Sequence, residues 1–164
     1  MNRIAVTGII AVSQLALVGV GVAPQLSARV TGETYLVRVA PLDPIDPFRG
    51  AYVALDYPDL RHDSQSFVEP GLGALDDGES GDVYIVLVRD GAVWVADEWS
   101  RARPDDGPYL ACDDRSWQIR CGIESFFLPQ DEAREAEVLL RDDAVAELRV
   151  DARGNAAVVD VRSP

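Results

Sequence analysis

VYIVLVRDGAVWVADEW, residues 83–99, decides the fold class. Val83–Arg89 is apolar on both faces, which places it centrally in a sheet rather than at an edge. Asp90-Gly91 is a two-residue hairpin signal, and it leads into a second strand over Ala92–Trp99. Outward from this hairpin, further strands are expected at Thr34–Val39, Val145–Asp151 and Ala156–Val161. Ala51–Tyr57 is expected as another, with Val53, Leu55 and Tyr57 alternating against Tyr52, Ala54 and Asp56. Ser116–Cys121 and Ile123–Leu128 read as weaker strands. Gln130–Arg141 reads as the one soluble helix, with acids early and a Glu137–Arg141 pair. Arg153-Gly154-Asn155 turns the last hairpin. Residues 68–82 and 100–108 are loops rich in Gly, Pro and Asp.

The N-terminus is of a different kind. Ile4 to Ala23 (IAVTGIIAVSQLALVGVGVA) carries no charge, and at the helical rise it spans about 30 Å, the hydrocarbon thickness of a bilayer. Arg3 precedes it, so the positive-inside bias puts the N-terminus in the cytoplasm and the remainder outside. The alternative is a cleaved leader, against which Pro24 stands as a poor residue to follow a cut. Thr7, Ala11, Gln14, Val18 and Gly21 form one stripe of small or polar side chains. Thr7, Gln14 and Gly21 are therefore candidates for a helix–helix contact in lipid. The chain divides into an anchor (1–23), a short linker (24–32) and an extracytoplasmic β-rich domain (33–164). The class is α+β: a mainly antiparallel sheet domain with one helix, preceded by one transmembrane helix.

Composition excludes several chemistries. The chain has 164 residues with 28 acids against 15 basic residues, a net charge of −13. Every basic residue is arginine, so Schiff-base, Walker-lysine and serine–lysine chemistry have no lysine to use. The first acid is Glu33, so the charge falls on the outer part, where it repels nucleic acid and anionic headgroups. The single histidine, His62, rules out a two-histidine metal site, and its neighbours Asp63, Ser64 and Ser66 on one loop do not make a triad. No metal or cofactor set is indicated. Cys112 and Cys121 are read as a disulfide, in keeping with an oxidising side, or else as two thiols. The acids of 76–82 offer oxygen ligands for a cation but lack EF-hand spacing.

Pro41 to Tyr57, PLDPIDPFRGAYVALDY, repeats proline–apolar–charged three times before Gly50. Proline at every third residue favours polyproline II, which sets Leu42, Ile45 and Phe48 on one edge and Asp43, Asp46 and Arg49 on another. The charged edge is either a recognition ridge or the wet side of a rigid connector. Glu124, flanked by apolar residues, is a further site candidate if it is buried.

At Gly50-Ala51-Tyr52-Val53-Ala54-Leu55-Asp56-Tyr57 the chain resembles the GDYXXLXY family of membrane-anchored proteins of unknown function. Gly122-Ile123-Glu124-Ser125-Phe126-Phe127-Leu128-Pro129 is similar to that family's second block, and the resemblance spans roughly 33–161. The chain departs at Ala51, where the motif has aspartate. The resemblance implies a location and an architecture but no activity. The outline is also loosely similar to signal peptidases, which need a lysine base that is lacking here.

The expectation is a non-enzymatic interaction module. It is anchored in the lipid bilayer by its N-terminal helix and acts with a membrane or envelope protein, without nucleic acid. The residues expected to carry the contact are Asp43, Asp46, Arg49, Gly50, Tyr52, Leu55, Tyr57 and Glu124. The alternatives are a domain that binds a small cation at its acidic loops and, with less behind it, a carboxylate hydrolase.

Overall fold

A computed structural model describes residues 3–43, 52–62, 78–116, 119–127 and 144–164. Helix α1 (Arg3–Thr31) comes first and is followed by β1 (Glu33–Asp43), β2 (Tyr52–Asp56) and a 3₁₀ turn at Pro58–Leu60. Then come β3 (Asp82–Asp90), β4 (Val93–Ser100), β5 (Tyr109–Asp113), β6 (Ser125–Phe127), β7 (Ala144–Val150) and β8 (Ala156–Arg162). Five strands form one sheet in the order β6-β2-β1-β7-β8, and three form a second, β4-β3-β5. All of the pairings are antiparallel. The expected α+β class, one apolar N-terminal helix before an antiparallel sheet domain, is the class observed.

β3 is central in its sheet, as its two-sided apolar character requires: Val83, Ile85 and Leu87 are buried and Tyr84 and Val86 half-buried. The hairpin turn sits one residue later than expected. Asp90 pairs with Val93, which leaves Gly91-Ala92 as the loop, with Gly91 at φ 61°. Glycine in the first loop position suits the positive φ that a tight hairpin of the type II′ kind demands there. Tyr35, Val37 and Val39 of β1 meet the second sheet in one core with Ile85, Leu110 and Leu148. Trp94 packs edge-on against Tyr35 at 5.0 Å between centroids.

Three expectations change. The segment 24–32, read as a linker, is helical through Thr31, with Pro24 inside the helix. Proline forfeits one backbone bond, and tertiary contacts described below hold the turns that follow. Pro41–Asp43, the first triplet of the expected polyproline ridge, is the end of β1 and pairs with β2 across a bulge. Pairing with β7 ends at Val39, so Pro41 interrupts no second ladder. The rest of the ridge and the Gln130–Arg141 helix lie outside the described residues.

Ser116–Cys121 has no strand among its described residues. It contributes a single bridge, Asp113 to Arg120, with both backbone bonds made. The strand in this region is β5, which was not foreseen. Cys112 and Cys121 stand one step along from that bridge, at the non-hydrogen-bonded position where facing Cα atoms come closest. Their Cα atoms are 4.2 Å apart and the two sulfurs are bonded. The pair closes a loop of sequence separation 9, worth about 2–3 kcal/mol by loop closure. Cys112→Ser/Cys121→Ser is expected to lower the denaturation free energy by about that amount, read from the urea midpoint with a slope equal to or slightly above the parent's, since the unlinked denatured chain exposes more surface.

Candidate functional site

The two motif blocks of the sequence meet. β2 pairs with β6 through Tyr52–Phe127, Val53–Phe126 and Ala54–Ser125. The Leu55 N–H donates to the Glu124 carbonyl at 2.9 Å. Tyr57, 1% exposed, drives its ring into the core and donates its hydroxyl to the Ile123 carbonyl at 2.8 Å. Burial, then the negative charges of Glu124 and Asp56, push that phenol well above its ordinary pKa, so it stays a donor. The Glu124 carboxylate accepts the backbone N–H of Gly122 at 3.0 Å and that of Cys121. Asp56 is buried and paired with Arg61.

Leu55 and Tyr57, expected at an interaction surface, thus belong to the core: alternation along β2 turns both inward. Glu124, half-buried, holds the second block's turn through its backbone. Asp46, Arg49 and Gly50 lie outside the described residues, while Asp43 and Tyr52 are placed on β1 and β2 by backbone pairing. Tyr57→Phe strands a buried carbonyl and is expected to cost about 1–2 kcal/mol in chemical denaturation, with the fold kept.

A second set of specific contacts lies where α1 meets the sheet domain. Ala28 is fully buried there. Gln25 Nε2 donates to the Gly122 carbonyl at 3.0 Å, and Arg29 Nη2 donates to the Val158 carbonyl at 2.9 Å. Ser27 Oγ donates to Asp151 Oδ2 at 2.5 Å. The Gly32 N–H closes the helix on the Ala28 carbonyl at 2.9 Å.

Asp151 is the hub of this junction. Its carboxylate, 7% exposed, also takes the N–H groups of Arg153 and Asn155 and the Asn155 side-chain amide. Burial alone would raise its pKa. The hydrogen bonds from Asn155, Ser27 and the two backbone N–H groups outweigh it, and the net shift is downward. A carboxyl lowered in the folded state stabilises the fold above its unfolded value, about 3.9, and that stability drains as pH falls through the folded value. The melting temperature is therefore expected to fall below about pH 4, and Asp151→Asn should flatten that fall.

Two recesses flank the junction. One, of about 400 Å³, is lined by Thr31, Glu33, Tyr35, Tyr109 and Asp151 among others. The other, of about 140 Å³, lies between Gln25 and Arg29 on α1 and Phe126 and Phe127 on β6. Thr7, Gln14 and Gly21, the expected intramembrane contacts, are exposed on α1 well before the docked turns. The helix over Ala5–Thr31 is long and apolar enough to cross a membrane, with a mean hydropathy of 2.0. Gln25, Ser27, Arg29 and Asp151 were missed in the sequence. The signal available was the helical spacing of Gln25, Ala28, Arg29 and Gly32 opposite Leu26 and Val30.

A family model described as GDYXXLXY protein matches residues 14–161. No curated protein and no solved structure matches the chain.

Proposed function

The chain belongs to the GDYXXLXY family, and from that premise we propose that it is a single-pass membrane protein whose outer domain acts with another membrane or envelope protein. Arg3 ahead of the apolar helix and the Cys112–Cys121 disulfide in the domain support a cytoplasmic N-terminus and an extracytoplasmic sheet domain. The observation that carries the reading is the fastening of α1 to the domain through Gln25, Ser27 and Arg29. A simple tether needs no fixed geometry. A helix held to its domain in one orientation presents both to the same neighbour, and Gln14 and Thr7 give it polar groups for a second helix in lipid.

The test is affinity purification of the full chain from detergent-solubilised native membranes, beside Gln14→Leu and Arg49→Ala. A stoichiometric partner that either variant loses supports the reading and locates the contact. A single band of the chain alone refutes stable partnering.

A second reading, a site for a small organic cation, is favoured by the larger recess, where Glu33 and Asp151 lie beside the rings of Tyr35 and Tyr109. Among the described residues no group of three or more His, Cys, Asp or Glu is placed to hold a metal ion. A quaternary ammonium probe that raises the melting temperature in proportion to RT ln(1 + [L]/Kd) would favour it; no shift would remove it.

A further inference from the structure

The docked turns of α1 carry a second face. Ala28 is buried against the domain, while Leu26 and Val30, each two residues away and so about 200° around the helix axis, point outward. Val22, Leu26 and Val30 recur at intervals of four and form one exposed apolar stripe. That stripe continues the apolar face of the span that carries Val12 and Leu15, both exposed and within about 40° of Leu26 around the axis. Across the smaller recess from Gln25 and Arg29 stands Phe127, 75% exposed on edge strand β6.

These positions have a depth. With the hydrocarbon layer filled by Ile4–Ala23, Leu26 lies about 5 Å and Val30 about 10 Å further along the axis, within the headgroup layer. A polar linker would have lifted the domain clear of that layer, but residues 24–31 are helical and already bound to the sheet. Arg29, at the same level, donates to Val158 and lies on the recess that Phe127 also lines. Phenylalanine and leucine on an apolar face with an arginine beside them are side chains of the kind that interfacial amphipathic helices set into the membrane–water boundary.

We infer that the sheet domain rests directly on the bilayer, with the outward stripe of α1 and the Phe127 ring set into the boundary between headgroups and acyl chains. The occupant is lipid rather than a protein partner, because the stripe is continuous with the face of the span that lipid must cover. The inference rests on the membrane reading above and gives it a lipid-contacting surface outside the span.

The test uses the full chain in phosphatidylcholine vesicles, with a nitroxide on Leu26→Cys, Phe127→Cys or Val12→Cys; the two native cysteines are bonded to each other. All three positions are exposed. Broadening by a water-soluble nickel complex is expected to be nearly lost at Val12 and to be reduced at Leu26 and Phe127 to a level between that of Val12 and that of a label free in water. Val12 protected but Leu26 or Phe127 open to nickel overturns this inference and leaves the membrane reading standing. Val12 open to nickel overturns both.

Discussion

Gly154→Ala is expected to melt roughly 10 °C below the parent chain in detergent, the larger of two effects that single methyl groups should produce here. Gly154 has φ 80°, a conformation that costs a side-chain-bearing residue about 1–2 kcal/mol. A Cβ there would stand 2.5 Å from Tyr109 Cε2 and 2.8 Å from the Ala111 nitrogen. The ring cannot swing aside cheaply. Its hydroxyl accepts from Arg103 Nε at 2.6 Å and donates to the Ala152 carbonyl at 3.2 Å, and Tyr84 packs on it edge-to-face. Overpacking of this kind costs about 1–3 kcal/mol more. The Gly154 carbonyl also receives the Ala111 N–H at 2.9 Å, so a shift of the turn would break the link between the last hairpin and β5. A melting curve that superimposes on the parent's would show that the two sheets do not meet at this turn.

Gly32→Ala should release α1 from the domain while leaving the two-sheet core largely folded. The added Cβ would lie 2.4 Å from the Ala28 carbonyl oxygen and 2.8 Å from both the nitrogen and the carbonyl carbon of Val150. All three are backbone atoms, one on the helix and two on β7, so neither side can yield by a rotamer change. The cost, about 2–4 kcal/mol, is met by parting helix from sheet, because that contact is smaller than the core. Trypsin reports the outcome: cleavage after Arg29 should become rapid in Gly32→Ala and stay slow in the parent, with Ser27→Ala in between. Equal resistance in all three chains would sink the idea that this glycine sets the docking.

Reading the strands from sequence succeeded where local pattern and local structure coincide. β1, β3, β4, β7 and β8 announce themselves by alternation, by a two-sided apolar run or by a glycine turn. β5 did not, because Tyr109–Asp113 follows a Gly-, Pro- and Asp-rich loop and becomes a strand by pairing with β3. The helix boundary was misread because Pro24 looks like a stop. What extends the helix beyond it is non-local: Gly122, Asp151 and Val158 lie far along the chain from the side chains they hold. The motif was legible as a unit, and both its blocks do meet, yet the contacts at Leu55 and Tyr57 face the core. Their alternation carried that information, since Leu55 and Tyr57, two apart, point the same way along an extended segment.

A helix that runs from an apolar span straight into its domain is a lever. α1 has 29 residues, about 43 Å of rise, of which Ile4–Ala23 match a hydrocarbon layer of about 30 Å and the remainder stands beyond it. A helix too long for its bilayer accommodates the difference by leaning. Because the last turns are held to β7, β8 and the Gly122 turn, a lean of the span reaches both sheets, less whatever bend Pro24 takes up. In a thinner membrane the sheet domain would tip further, and in a thicker one it would stand more upright. Bilayer thickness would thereby set the angle at which the domain faces its neighbours.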